Sequence, residues 1–366
     1  MSTSNQPLRF GVLGIGRMGI RHALNLLVQV VNEPRAQLVA VADPRKDVLE
    51  ASKEILGENV KRFISEEDVI NDPSIQAILV ASDTTQHPIL ALKAIKAGKH
   101  LLLEKPIAVN LDDAAPVVAE AKRNPHLKIL VGMSRRFDDS YREAFNRIQS
   151  GELGDVFHYY GVTNDQYNAE IVDFFVGYSK VSGSILVDCG IHDVDLMRWY
   201  MGPNEKVKKV YAAGYNARMH RLKESRDADN SVATIVFESG KLANIYLSRT
   251  AIHGHECWAQ ITGENGMIKV NTDNAMNRVT LADEHGYRKL TTQDYYDRFR
   301  GAFANEMREF TSAVLDNTPL PLNIDDAFEA SKICVGLQMA FRSDEQIFFD
   351  ENGYPIPPKG IAPSRL

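Results

Sequence analysis

Gly14-Ile15-Gly16-Arg17-Met18-Gly19 is the stretch whose reading decides the fold. Directly before it, Leu8-Arg9-Phe10-Gly11-Val12-Leu13 reads as a short apolar strand. From Ile20 to Asn32, the residues Ala23, Leu24, Leu27, Val28 and Val31 share one helical face. Glycine-rich turns close many strand–helix units, and G-x-G-x-x-G gains meaning only between such a strand and such a helix. There Gly14 permits a tight turn, Gly16 lets the backbone approach a pyrophosphate, and Gly19 lets the helix pack closely on the strand. Free N–H groups at the helix start, with Ile15, Arg17 and Met18 in the turn, supply the expected phosphate site. Gln37 to Ala42 is a second buried strand ending in Asp43, at the distance where dinucleotide folds place an acid for the adenosine ribose. The reading is an NAD site. A 2′-phosphate would set negative charge against Asp43, so NADP is expected to be used more weakly. Pro44 restrains the loop start and turns Arg45 toward the adenine face, where it stacks; the alternative is that Arg45 and Lys46 are simply solvated.

The chain has 366 residues, long enough for two domains and a sizeable core. A formal charge of −6 without basic runs argues against nucleic acid as a partner. No apolar stretch approaches membrane-spanning length, and the polar start from Met1 to Pro7 lacks a signal-peptide core. Cys189, Cys257 and Cys334 are odd in number and far apart, which suits small buried side chains in a reducing compartment. The expected location is the cytoplasm. Ser364-Arg365-Leu366 is close to the S-K-L peroxisomal address, which gives the alternative in a eukaryotic cell; otherwise it is a frayed tail.

From Leu8 to about Met133 apolar strands alternate with helical segments, which predicts a doubly wound parallel sheet covered on both faces, an α/β Rossmann domain over residues 1–134. Ile75 to Ala81, His100 to Leu103 and Lys128 to Gly132 continue the strand series. Ligands bind such sheets at the carboxyl ends of the strands, where Gly14, Asp43, Ser82 and Lys105 all fall. Near Arg135-Arg136-Phe137-Asp138 the rhythm changes. A helix from about Asp139 to Gln149 precedes alternating strands over Val156–Val162, Val207–Tyr215, Val232–Phe237, Leu242–Leu247 and Trp258–Thr262. Glu238-Ser239-Gly240 and Glu264-Asn265-Gly266 read as hairpin turns. Residues 135–366 are thus expected to form an α+β domain on a large, mostly antiparallel open sheet. Helices are expected over Tyr295–Leu315 and Asp325–Arg342, the last free to pack back on the first domain.

One segment of the second domain stands apart, Gly183 to Tyr200, read as a single helix. Asp188 and His192 are i and i+4 and share a face, while Leu186, Val187, Ile191, Val194 and Met197 bury much of the rest. A carboxylate beside an imidazole orients it and tunes its basicity for general-base chemistry. On spacing alone, a satisfied surface pair with Asp193 and Asp195 complementing the helix dipole serves equally well. Lys105 is similarly open: it is either a solvated strand-end lysine paired with Glu104, or a group that polarises a substrate oxygen. His253-Gly254-His255-Glu256 is read as a strand-end loop, because no third metal ligand is evident nearby; no metal is expected.

The glycine turn, Glu104-Lys105-Pro106 and Asp188-x-x-x-His192 together resemble the glucose–fructose oxidoreductase/inositol dehydrogenase (Gfo/Idh/MocA) family, from about Arg9 to Phe341. Arg135-Arg136-Phe137-Asp138 with Tyr141 is similar to its inositol 2-dehydrogenase branch. Ser82, Thr84 and His87 match the family's T-P-N-x-x-H cofactor loop, with Ser for Thr, Asp83 for Pro and Thr84 for Asn. The resemblance implies that Lys105, Asp188 and His192 form the catalytic group, and that Ser82, Thr84, His87, Glu104, Lys105 and Arg136 join the glycine turn, Asp43 and Arg45 in holding NAD. It implies oxidation of a secondary alcohol. His192 would take the hydroxyl proton, Lys105 would hydrogen-bond that oxygen, and Asp188 would orient a second hydroxyl and the imidazole.

Thr163, Asn164 and Asp165 end a strand where the family gathers substrate ligands, and their chemistry suits a polyol. Asp165 speaks against an acidic substrate. A cyclitol (myo- or scyllo-inositol) or a pyranose is expected, bound with Lys105, Asp188 and His192. Two alternatives share the fold: an NAD-using glycosidase, and a non-catalytic dinucleotide-sensing regulator, which would lack the lysine and histidine kept here. Large residues in both phases of the strands, such as Ile235 and Phe237 against Val236, point to a homodimer or homotetramer formed through the second sheet.

Overall fold

Backbone groups in buried apolar segments must pair with one another, and in the first part of the chain they do so as a parallel sheet. The computed structural model describes residues 6–32 and 35–359, with only the backbone for 28–32. The side chains of Val28 and Val31, most of the polar amino-terminal stretch and Ser364-Arg365-Leu366 therefore fall outside what is described. The chain divides into two compact units: residues up to Phe137 with Gly301–Phe328, and Asp138–Arg300 with the residues from Glu329 onward.

In the first unit the order is β1 (Leu8–Leu13), α1 (Gly19–Asn32), β2 (Ala36–Ala42), α2 (Lys46–Leu56), β3 (Lys61–Phe63), α3 (Glu66–Ile70), β4 (Ala77–Val80), α4 (His87–Lys96), β5 (His100–Leu103), α5 (Leu111–Arg123) and β6 (Ile129–Val131). The strands lie in the order β3-β2-β1-β4-β5-β6, all parallel. Strand order reverses between β1 and β4, so their carboxyl ends open a crevice there. Every residue of β4 is buried, which is why a continuous apolar run, not alternation, marked it. The buried edge of α1 differs from the expected face: His22, Ala23 and Leu26 are buried, whereas Leu24 and Leu27 are half-buried. Asn110 accepts from the Asp113 N–H at 2.8 Å and so starts α5.

The second unit runs α6 (Asp139–Gln149), β7 (Val156–Gln166), α7 (Val172–Ser182), α8 (Ile185–Asp188), α9 (Gly190–Met201), β8 (Val207–Tyr215), β9 (Asn230–Phe237), β10 (Leu242–Ala251), β11 (Glu256–Gly263), β12 (Gly266–Val270), β13 (Ala275–Asp283) and β14 (Gly286–Thr291). α10 (Tyr295–Leu315) and α11 (Ile324–Ser343) follow, with β15 (Ile347–Phe348) beyond them. Seven strands form a sheet in the order β12-β11-β7-β10-β9-β8-β15, antiparallel except for the β7–β10 pair. In β9, β10 and β11 the odd-numbered residues are buried and most even-numbered ones are partly open, so the sheet has a covered and an uncovered face. Helix α9 packs on β7 and β10. At Gly161 a Cβ would lie 2.7 Å from Asp193 Oδ1, so the glycine lets that helix approach.

The loop between β8 and β9 hangs on one carboxylate. Asp229, fully buried, accepts the N–H groups of Ala217, Arg218 and Met219 at 2.8, 2.7 and 2.7 Å. Burial would raise its pKa, but these N–H groups and the Asn230 amide outweigh burial and hold it below the usual 3.8. Its contribution to stability is therefore fully present above pH 3.8 and is lost as the pH falls through the lower folded value. Asp229→Ala leaves buried donors without an acceptor and is expected to lower the unfolding free energy by ~2–4 kcal/mol at pH 7. Urea denaturation checks this, and a variant as stable as the parent would contradict it.

Candidate functional site

In the first unit the glycine turn is built as a cradle. Gly14 has φ 79°, and a Cβ there would lie 2.5 Å from Ser82 Cα, so the ends of β1 and β4 touch backbone to backbone. A Cβ on Gly19 would fall 1.8 Å from the Gly14 carbonyl oxygen. Gly16 differs: its added Cβ would meet only Arg45 Nη2, at 3.6 Å. Nothing in the chain itself requires glycine there, and an approaching phosphate does. Ser82 Oγ, buried and without a hydrogen-bond partner, faces the same strand-end region. These residues fit the pyrophosphate and ribose of a dinucleotide.

Asp43, 1% exposed, uses its carboxylate fully. Oδ2 accepts the Ile15 N–H at 3.1 Å and Arg45 Nη2 at 2.9 Å; Oδ1 accepts Arg45 N at 3.0 Å and Nε at 2.9 Å. Burial would raise its pKa, but the Arg45 and Ile15 hydrogen bonds and the Arg45 charge hold it below the usual range. Arg45 therefore folds back on Asp43 and does not extend toward an adenine face. Bidentate geometry and a shared two-residue turn favour this closed form.

Three further loops converge in this unit. Thr84 is buried in the 3-10 turn Thr84–Gln86, and the His87 ring places Nδ1 2.8 Å from the Pro106 carbonyl and Nε2 3.1 Å from that of Ser82. The ring thus braces the loop after β4 against Glu104-Lys105-Pro106, and burial holds its pKa below the usual value. Glu104 is also buried; its Oε2 accepts the Lys105 backbone N–H at 3.1 Å, and Oε1 lies 2.6 Å from His22 Nε2. Burial opposes its charge, yet the His22 hydrogen bond, with His22, Lys105 and His87 charges, keeps the carboxyl below its ordinary range. Glu104 therefore faces His22 and the backbone of Lys105. Arg136, 4% exposed, has Nη1 3.8 Å from Asp326 Oδ2.

In the second unit the expected single helix is divided at Cys189: Asp188 ends α8 and His192 lies in the first turn of α9. Asp193 and Asp195 are buried, at 0% and 1%, and so do not form the exposed dipole pair that spacing allowed. Asp193 Oδ2 instead accepts the Thr163 hydroxyl at 2.7 Å. Asp188 Oδ2 pairs with Arg249 Nη2 at 2.9 Å, and Tyr178 donates to Oδ1 at 3.5 Å.

Thr163, Asn164 and Asp165 do not line one surface, because successive strand residues point to opposite faces. Thr163 and Asp165 face α8 and α9, whereas Asn164 donates to Glu256 Oε2 at 3.0 Å on the other face. Asp165 lies 3.1 Å from His255 Nδ1 and accepts from Cys189 Sγ at 3.7 Å. Burial opposes a charge on His255, but Asp165 and Cys257 push the imidazole up to about 9. His253 Nε2 lies 3.1 Å from Glu256 Oε2, and among the described residues no group of three or more His, Cys, Asp or Glu is arranged to hold a metal. Sequence reasoning missed His22, Arg249 and His255. Arg249 carried a usable signal: a charged residue in the phase of Ile245 and Leu247, the buried face of β10.

Comparison with known proteins finds matches along most of the chain. Residues 8–133 match the oxidoreductase family with an NAD-binding Rossmann fold, and residues 141–269 match the GFO/IDH/MocA C-terminal domain. The scyllo-inositol 2-dehydrogenase (NAD(+)) of Bacillus subtilis is 32% identical over 87% of this chain and 90% of its own. The myo-inositol 2-dehydrogenase of Thermotoga maritima is 32% identical over 87% of this chain and 92% of its own. The crystal structure of scyllo-inositol dehydrogenase from Lactobacillus casei with NAD(H) and scyllo-inositol superposes with a TM-score of 0.87 at 28% identity, covering 94% of this chain and 99% of that one. No helix among the described residues is long and apolar enough to cross a membrane. The chain belongs to the Gfo/Idh/MocA family of NAD-binding oxidoreductases.

Proposed function

We propose that this protein is an NAD-dependent dehydrogenase that oxidises a secondary hydroxyl of a cyclitol, with scyllo- or myo-inositol as the first candidates. The observation that carries this reading is the 32% identity over 87% of the chain to a scyllo-inositol 2-dehydrogenase. NAD, when bound, supplies the acceptor for the hydride. The Gly14–Gly19 turn, Asp43, Ser82 and Thr84 would hold it, with His87 and Glu104 shaping the loops around it. His192 takes the proton of the reacting hydroxyl, and its place beside the Asp188 turn supports that role. Lys105 donates a hydrogen bond to the same oxygen and keeps its surroundings positive. Asp188 orients the imidazole and a neighbouring hydroxyl. Thr163 and Asp165 act behind these groups through Asp193, Cys189 and His255, so direct contact with substrate falls to Lys105, Asp188 and His192.

A screen of NAD reduction over inositol isomers and aldoses tests the substrate class; turnover of aldoses alone would overturn the cyclitol reading. His192→Ala and Lys105→Ala are each expected to lose about a hundredfold or more in kcat while retaining NADH binding. Near-normal turnover in His192→Ala would remove it from the mechanism.

The closed Asp43–Arg45 pair bears on cofactor choice. Four hydrogen bonds fill the acceptor positions of the carboxylate, so the ribose hydroxyls must displace the Arg45 guanidinium when they bind. Once displaced, the guanidinium is available to a 2′-phosphate, which gives weak NADP use, while the carboxylate repels that phosphate. NAD is expected to have the higher kcat/KM, and Asp43→Ser should narrow the ratio. A parent enzyme that prefers NADP would refute this assignment.

Self-association is proposed through the uncovered face of the second sheet. Phe157, Tyr211, Val232 and Leu242 are 44%, 40%, 53% and 44% exposed on adjoining strands, a group of large apolar side chains of the kind that marks association surfaces. A second copy related by twofold symmetry would cover it. Light scattering at micromolar concentration is expected to give a dimer or tetramer, and a monomer alone would rule the interface out.

A further inference from the structure

Arg249 is 1% exposed, and its guanidinium lies in the covered layer between β10 and the α8–α9 segment. A buried cation persists only when opposite charge and hydrogen-bond acceptors meet it. Nη2 donates to Asp188 Oδ2 at 2.9 Å, and Nη1 to Asp227 Oδ2 at 3.4 Å. The flat face of the guanidinium lies 4.7 Å from the centre of the Phe175 ring, and Cys189 Sγ is 3.8 Å from Nη2.

The second carboxylate explains why one guanidinium serves two acids. Asp227 Oδ1 accepts the Ile185 N–H at 2.7 Å and the Ala228 N–H at 2.8 Å. Ile185 is the first residue of α8 and Asp188 its last. Asp227 therefore fixes the start of that single turn, and Arg249 ties the start to the end. A lysine could satisfy one carboxylate at a time; the planar fork reaches both. Cys189, the joint next to Asp188, leads directly into α9 and His192, so the same clamp sets where that helix begins.

We propose that Arg249 is a positioning residue for the reaction: it holds the Asp188 carboxyl aimed, and through the α8–α9 joint it fixes the origin of His192. This rests on the roles assigned above to Asp188 and His192. The charged and titratable groups around it are Asp188 on α8, Cys189 at the joint, Asp165 on β7 and Asp227 before β9, whose carboxyl burial pushes up; Tyr178 on α7 reaches Asp188, His255 just before β11 meets Asp165, and Arg342 on α11 acts on Asp227. Asp165 is matched by His255 at 3.1 Å, and Arg249 meets both Asp188 and Asp227. Removing the guanidinium takes from Asp188 the cation hydrogen-bonded to its Oδ2, so its proton affinity rises.

The test uses the full-length enzyme loaded with NAD and an inositol isomer it turns over. Arg249→Gln is expected to lower kcat by about tenfold to a hundredfold and to move the acid limb of the kcat–pH profile upward by about one to two units, with NADH binding unchanged. Arg249→Lys should recover part of kcat and most of the pH shift. Asp227→Asn keeps the volume and the Ile185 contact but removes the competing charge, so its acid limb should move down. That opposite displacement is one that a purely structural role would not produce, and it remains readable if the Arg249 variants fail to fold. A folded Arg249→Gln enzyme with parental kcat and pH profile, or an acid limb in Asp227→Asn that stays put or rises, overturns the inference. Asp188→Asn run alongside separates the two levels: parental activity there means that the role of Asp188 itself is wrong.

Discussion

At the turn after β1 the backbone leaves no volume for a side chain, and the first unit depends on that. Gly14 must lie against Ser82, and Gly19 against the Gly14 carbonyl, for α1 to start where it does. The two neighbouring parallel strands, β1 and β4, then end together, and their loops diverge around open space next to Gly16. Side chains that could fill this region are pinned elsewhere. His87 is held between two carbonyls and Glu104 between His22 and a backbone N–H, while Arg45 is folded on Asp43. The result is a polar crevice whose His87 and Glu104 walls are fixed, so the movement that a dinucleotide would require falls on the Arg45 guanidinium.

The second unit meets a different constraint, the burial of charge. Its sheet has one face against helices, and on that face lie Arg249, Asp227, Asp193 and Asp188, each within 9% of full burial. Ion pairs of this kind add little net stability compared with apolar packing, but losing one partner is severe. Their retention here makes sense as geometry. Carboxylates with satisfied partners hold short helical segments at defined starting points, so polar groups can stand at a fixed place among Leu186, Val187 and Ile191.

Much of this was legible in the sequence because each signal was local. The glycine spacing, the apolar runs of β1, β2 and β4, and Asp43 at a strand end all follow from rules spanning a few residues, and the parallel sheet followed from them. Helices α10 and α11 were readable from periodicity. The hairpin β13–β14 was not, since nearly every residue in it is exposed and no buried phase marks it. Partners distant in sequence were likewise hidden: nothing near Asp165 announces His255, and nothing near Asp188 announces Arg249. The helix over Gly183–Tyr200 was read as continuous, but the break at Cys189 belongs to a tertiary clamp. Likewise, Thr163, Asn164 and Asp165 share a chemistry that suits hydroxyls, yet strand alternation sends Asn164 to the opposite face.

The first unit is not a continuous stretch of chain, and this has a consequence for how the protein is made. Phe10 in β1 meets Phe310 in α10 at 5.9 Å, and His22 meets Phe303 at 5.6 Å. A nascent chain normally completes its amino-terminal domain while the rest is still being synthesised. Here the core around Phe10 stays open until α10 has left the ribosome, a wait on the order of 15 to 60 s at typical elongation rates. Throughout that interval the emerging β1, β2 and β4 expose apolar strands to other molecules. That interval is a window in which chaperones can engage the nascent chain before its first core closes.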